Sequence, residues 1–498
     1  MARHKVRPLT PWTARTRRHL GSQAASRLIL WRSSRTLRKV LRNSLLSCCC
    51  SWLFAFCIAR GDVFSSLEPD QQSYETFVMG KLMWFWVFCW VFTLAECVAK
   101  LLPEPFATQS TQATLSVAQI LVKLARPILL PSIGVLLVSI AGSLGIAWLS
   151  PSDRKYKADV YWGMLGYHFI LTVTDAHTRH IFRLQTVSGQ AKERRRSRQP
   201  RSVPPVSRPR RSPSSTQFFR VFLQNSALVA SAFLAGAYVH VMSFVRLRNR
   251  WELAAFAICS QSLKLVVQGL AKLYLSKRRR TPSMRTMALI IAVPTILVDT
   301  QLRTVLLCLD SNALTLVSSV LLAVAKIVLR LARTLIARRQ ARQILAPHPS
   351  AVSVLPQGGV DAQLTRSPST FSSSPQVQAI ARVHKLMALH AAEVYADMHG
   401  EYIAMGCSYG ILLFLGSSRR FQLGGNASMS TTHHVHLATV GLQVGLEVVG
   451  DFVAIPLELH MGVNFESFNK DDVFLALLIV LIAVVNIHIA SGIYLRPQ

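Results

Sequence analysis

The sequence predicts an all-α fold, a polytopic integral membrane helix bundle of about nine to eleven transmembrane helices. Three observations predict it. Only 16% of the 498 residues are charged, where a soluble chain carries about 25%. Apolar runs long enough to cross ~30 Å of hydrocarbon, about 20 helical residues each, recur along the chain. These runs lack the period-two alternation of a membrane barrel, and an open sheet would leave backbone groups unsatisfied in lipid.

The formal net charge of +33 suggests a nucleic-acid partner until its distribution is read. Residues 1–42 hold twelve Lys and Arg and no acid, and residues 183–220 hold eleven with one acid. Residues 277–285 hold five and residues 326–342 hold six, again without acids. Four segments at span ends therefore carry the whole excess. The positive-inside rule and an anionic cytoplasmic leaflet account for that pattern, so the expected partners are the bilayer and anionic lipid. Aromatic platforms for stacking bases are missing from 183–220 apart from Phe218 and Phe219, so no nucleic-acid partner is expected.

The chain divides into six stretches. Residues 1–43 form a basic cytoplasmic segment, with 27–42 as an amphipathic helix. Two readings of that helix stay open: a membrane-surface helix leading into the first span, or an Arg-rich, acid-poor mitochondrial transit peptide. The first places the protein in the plasma membrane or an endomembrane, the second in a mitochondrial membrane. Residues 44–182 hold about four spans, at 44–59, 77–99, 128–149 and 160–181, the first short and the last weakly apolar. Residues 183–217 read as a disordered basic linker. Residues 218–337 hold spans at 218–245, 251–275, 286–309 and 313–337. Residues 338–378 read as a disordered Ser/Pro-rich linker. Residues 379–498 hold spans at 392–416, 437–457 and 473–495.

Parity constrains this set. If all four basic segments face one side, an even number of spans must separate them. Eleven spans satisfy this, and so do nine, whereas ten does not.

The residues most unlike membrane spans lie in the last stretch. His390, Glu393, Asp397 and Glu401 fall within about 80° of arc at helical spacing, while His399 points the other way. In the next span Gln443, Glu447 and Asp451 share a second stripe. Glu458 would follow, but Pro456 is expected to kink or end the helix before it. An acid at mid-membrane costs roughly 2.5–3.5 kcal/mol, so these groups must face the bundle interior, pair with cations or take up protons. Lys81, Lys264, Lys272, Arg303, Lys326 and Arg330 are the available intraspan partners. The stripes suit a transporter or channel-like protein with a path for protons or divalent cations. The alternative is a non-transporting scaffold or lipid- and partner-binding protein whose acids lock helices together.

Other sites follow from shorter signals. His390 with Glu393, and His433, His434 and His436, are weak metal-ligand candidates. Asn426 opens the N-x-S/T sequon Asn-Ala-Ser in a loop expected outside. Cys48, Cys49 and Cys50 sit where a basic run meets a span and are palmitoylation candidates. Gly406 with Gly410, and Gly441 with Gly445, have the spacing of close helix contacts. Phosphate-binding, zinc-protease, nucleophile-elbow and EF-hand motifs are absent, so neither enzymatic activity nor a cofactor is expected.

Overall fold

The computed structural model describes residues 22–107, 112–149, 154–198, 214–243, 250–277, 284–307, 312–345, 375–416, 418–421 and 429–496. The chain is an all-α bundle. Twelve α-helices are described: α1 (Ser22–Arg60), α2 (Tyr74–Leu101), α3 (Val117–Ala147), α4 (Ala158–Gln185), α5 (Val187–Arg198), α6 (Ser214–Ser243), α7 (Arg250–Lys277), α8 (Met284–Leu307), α9 (Asn312–Leu345), α10 (Pro375–Gly410), α11 (Met429–His460) and α12 (Asp472–Ile493). A π-helical turn, Ile411–Leu415, extends α10, and a 3₁₀ turn, Glu466–Asp471, leads into α12. The one described hairpin is two residues a side, pairing Phe106 with Ala113 and Ala107 with Gln112.

All helices but α5 are long, and their end contacts show that they alternate in direction. At one end, the basic end, Arg42 NH2 lies 2.8 Å from Asp472 Oδ2, Lys123 Nζ donates to Gln185 Oε1 at 3.0 Å, and Lys385 Nζ donates to the Ser276 carbonyl at 2.7 Å. At the opposite end Arg154 NH2 lies 3.1 Å from Glu75 Oε1, and Lys157 Nζ donates to the Leu495 carbonyl. Thus α1, α3, α6, α8, α10 and α12 run away from the basic end, and α2, α4, α7, α9 and α11 run back. This is the arrangement that an eleven-span parity requires.

Among the described residues six helices are long and apolar enough to cross a membrane: α1 from Arg27, α2, α3, the Phe218–Val241 part of α6, Leu437–His460 of α11, and α12. The other long helices, α4, α7, α8, α9 and α10, carry charges into the interior. Helix α12 has the highest mean hydropathy, 2.9, and 83% of its apolar window is buried, so it is the central helix. It packs on α1, α2 and α8. Helix α3 is nearly as apolar, yet Leu130, Leu137 and Val138 on it are exposed, as lipid-facing positions are.

Several expectations change. Residues 27–42 and 44–59 are one continuous helix, because its buried positions Val40, Asn43, Ser44, Ser47 and Ser51 keep helical spacing across the junction. The 183–217 linker begins as helix α5, and the 338–378 linker begins as the last turns of α9. The loop expected over 417–436 ends at Met429, so His433, His434 and His436 stand in the first turns of α11. Pro456 lies inside α11, which continues to His460. Asn426 lies outside the described residues.

The glycine pairs part company. A Cβ on Gly406 would meet Cys48 Sγ at 2.1 Å, and one on Gly410 would meet Trp52 Cδ1 at 2.7 Å. Helix α10 therefore packs its small-residue face on α1, where Trp52 Nε1 donates to the Gly406 carbonyl at 2.7 Å. Among the described residues nothing lies within 4 Å of a Cβ on Gly441 or Gly445.

Candidate functional site

Helices α7, α8, α9, α10 and α11 bring a network of charges together. Helix α10 enters it because its opposite face is committed to α1 and to the 3₁₀ turn before α12: His399 Nδ1 is 3.1 Å from Ser44 Oγ, and Tyr395 stacks on Phe468 at 4.4 Å. The stripe at 390, 393, 397 and 401 is left facing α7 and α9. Glu393 Oε1 lies 2.5 Å from Lys272 Nζ and 3.3 Å from Arg333 NH1. Asp397 Oδ1 accepts from Gln268 Nε2 at 2.7 Å, and its Oδ2 lies 3.6 Å from Arg333 NH1. Lys264 Nζ, 3.9 Å from Asp397, makes a closer pair with Asp299 of α8 at 2.7 Å. His390 is within hydrogen-bond distance of Thr334 Oγ1 at 2.9 Å and of Glu393 Oε2 at 3.4 Å.

The second stripe meets α8, α9 and α10. Arg330 reaches both Asp451 and Glu458, with Nε 2.5 Å from Glu458 Oε1 and NH2 2.8 Å from Oε2. The Tyr402 hydroxyl of α10 donates to Asp451 Oδ2 at 2.9 Å. Gln443 Oε1 accepts from Arg303 NH1 at 3.3 Å. The two acidic stripes therefore face each other, and Arg330 and Arg333 of α9 stand at their junction.

A cavity of about 60 Å³ opens there, lined by Lys264, Arg330, Arg333, Asp397, Glu401, Glu447 and Asp451, with Gln261 and Gly450 at its wall. A single water needs roughly 10–15 Å³ of such space, so the cavity takes several waters or one small hydrated ion. It is far below the several hundred Å³ of an organic-ligand pocket. Its lining holds carboxylates and cations in similar number, a setting in which a proton or small cation can exchange partners at little cost in net charge.

Of the seam residues expected from sequence, Asp397, Glu401, Glu447 and Asp451 line the cavity, while His390 and Glu393 meet Thr334, Lys272 and Arg333 and Gln443 meets Arg303 away from it. Sequence reasoning excluded Glu458, which is fully buried against Arg330. The helix tolerates Pro456 because one lost backbone bond is small against a two-point charge-assisted contact two residues on. It missed Asp299, a lone acid within an apolar run and so legible in principle. It also missed Arg333, which was counted with the basic end of its segment although it turns inward. The side chain of Lys326 lies outside those described, and Lys81 belongs to a different pair, with Asp159.

The donor atoms of His390 and Glu393 are engaged by Thr334, Lys272 and Arg333, which leaves no open metal face. Among the described residues no group of three or more His, Cys, Asp and Glu is placed to hold a metal. The side chains of His433, His434 and His436 lie outside the described set. Cys49 is exposed on α1, whereas Cys48 is turned toward the Tyr402 carbonyl, 3.8 Å away.

No protein-family model matches the chain, and no curated protein or solved structure shows significant similarity to it.

Proposed function

We propose that this protein is a multi-pass membrane transporter or channel-like protein that passes protons or small cations through the cavity between α7, α9, α10 and α11. One observation carries the reading: Asp397 and Glu401 from one helix and Glu447 and Asp451 from its neighbour line the same internal space. Intramembrane acids are expensive, and acids that converge on a cavity with room for water belong to ion and proton pathways. The surrounding cations set the mechanism. Arg330 and Arg333 neutralise the seam at rest, and an entering proton or cation takes their place on a carboxylate. The small volume favours such ions over organic substrates.

The basic end is assigned to the cytoplasm, where Arg27, Arg35 and Arg38 of α1 contact anionic lipid. A plasma membrane or endomembrane suits this orientation.

A second reading is favoured by the pairing itself. Glu393, Asp451 and Glu458 each touch a cation, as helix-locking acids do. In that case the protein is a scaffold without flux. Reconstitution separates the two: purified protein in liposomes passes protons or cations if the first reading holds, and Glu401→Gln or Glu447→Gln reduces that flux. Flux no greater than in empty vesicles sinks the transport reading.

A further inference from the structure

A groove opens on the lipid side of the bundle between α3 and α12, apart from the α7–α11 cavity. Both helices pack on α2 without packing closely on each other, so α2 forms its floor. Leu94 and Val98 of α2 are buried there, while Val117 of α3 and Val473 of α12 stand exposed on the rims. The recess exists because Ala95 and Ala99 on α2 and Ala125 on α3 are too short to close it. Its volume is about 460 Å³, within the roughly 300–1,000 Å³ of small-molecule sites. No lining side chain carries a charge or a hydroxyl. A space so apolar excludes ordered water, which needs several polar partners.

The position of the groove names its occupant. Leu102 caps α2 at the basic end, and Val117 and Val473 begin α3 and α12 there, so the groove opens at that end. From Leu102 inward to Val91 it follows three turns of α2, roughly 16 Å. That is half of the ~30 Å hydrocarbon core, the depth of one leaflet. Val122 and Leu129, on the adjoining strip of α3, are exposed as lipid-facing positions are. At the mouth, Asp472 directly precedes Val473 and holds two cations, Lys39 Nζ at 3.9 Å and Arg42 NH2 at 2.8 Å. Lys100, over the Phe474 ring at 5.0 Å, is taken up by Glu96 and Asp175. One carboxylate under two cations leaves a net positive charge beside the opening. The adjoining sequence between α2 and α3, Thr108-Gln109-Ser110-Thr111, is polar and does not match the lining.

We propose that this groove binds an acidic glycerophospholipid from the leaflet at the basic end, with an acyl chain lying along α2 between α3 and α12 and the headgroup phosphate meeting Arg42 and Lys39 at the mouth. In a bilayer the chain gains little from burial alone, because lipid tails are as apolar as the groove. Close fit in the recess and charge at the mouth set the preference. Arg42 suits the role: its side chain is 66% exposed and presents a planar fork to phosphate. The site does not depend on flux through the α7–α11 cavity.

The test uses full-length protein in phosphatidylcholine liposomes with a minor fraction of photoreactive lipid, either phosphatidylglycerol or phosphatidylcholine carrying a diazirine on its acyl chain. After irradiation, peptide mass spectrometry compares adducts at Ala95, Ala99 and Leu121 with those at Leu130 and Leu137 on the outer face of α3. The phosphatidylglycerol probe is expected to label the groove several-fold over the outer face. It should also label the groove roughly five-fold over the phosphatidylcholine probe, the weight of one net surface cation. Ala99→Leu with Ala125→Leu fills the recess and should lower groove labelling several-fold while outer-face labelling stays, which shows the protein folded and inserted. Lys39→Gln with Arg42→Gln, which leaves Asn43 on Asp472, should bring the two probes level. Groove labelling no higher than on the outer face means bulk lipid only and overturns the site. Equal labelling of the wild-type groove by both probes overturns the acidic lipid as its occupant.

Discussion

Arg330 and Glu458 meet by two parallel contacts, Nε to Oε1 at 2.5 Å and NH2 to Oε2 at 2.8 Å, and Glu458 is fully buried. The same guanidinium also holds Asp451. One cation on α9 thus fixes two acids on α11, two turns apart and on either side of Pro456. Removing it leaves two buried carboxylates uncompensated. Arg330→Leu is expected to cost about 3–5 kcal/mol, read as a lowered unfolding midpoint of the purified protein in detergent. Adding Glu458→Leu should recover part of that loss. A single variant as stable as wild type would show that the guanidinium does not hold α11.

The close approach of α1 and α10 gives a second prediction. Gly406→Ala brings a Cβ to 2.1 Å from Cys48 Sγ, and Gly410→Ala brings one to 2.7 Å from Trp52 Cδ1. Each should destabilise by about 1–3 kcal/mol through overpacking. Gly441→Ala and Gly445→Ala meet no described residue within 4 Å and should be neutral or slightly stabilising, since Ala is the better helix former. Thermal unfolding of the four variants decides it, and an equal response in both pairs would contradict the packing.

These two cases show what the sequence could and could not carry. Helical periodicity exposed the stripes His390–Glu401 and Gln443–Asp451, because an acid in an apolar run is conspicuous and spacing alone fixes its face. The identity of the opposing surface is a tertiary fact. Spacing could not tell Gly406, which meets Cys48, from Gly441, which meets no described residue. Arg333 stood in a basic run whose other members mark a span end, and only the inward turn of α9 sets it on Glu393. Glu458 was lost to a local rule about proline that a strong buried contact overrides. The alternation of the eleven long helices is the one that charge parity requires of eleven spans.

Lys157 offers a test by pH. It stands just before α4 with φ at 52° and donates to the Leu495 carbonyl, tying the C-terminus to that end of the bundle. Burial, opposed by the Asp159 carboxylate and assisted by the Lys81 cation, pushes its ammonium down to about 8. The folded value lies below the unfolded one, so the unfolded chain holds the extra proton between them. Stability therefore rises as pH increases from about 8 toward the usual lysine range of about 10.4. The unfolding midpoint should climb over that interval relative to Lys157→Met. A variant whose pH profile parallels wild type would remove Lys157 as the cause.

Orientation is tested by glycosylation. Helix α10 ends and α11 begins at the end opposite the Arg42–Asp472 contact, and Asn426 falls between them in sequence. In a glycosylating membrane Asn426 should acquire a glycan, seen as a mobility shift lost in Asn426→Gln. A sequon introduced at 278–283 should stay unmodified. Modification at 278–283 but not at Asn426 would invert the topology and place the basic segments outside.

The central claim, that the cavity between α7, α9, α10 and α11 passes protons or cations, is tested most directly by flux into liposomes carrying the purified protein. Wild type is compared with Glu401→Gln, with Glu447→Gln and with the double variant. The account predicts flux above empty vesicles for wild type, a reduction in each single variant and the largest loss in the double. Wild-type flux retained in the double variant, with the protein folded and inserted, would contradict it.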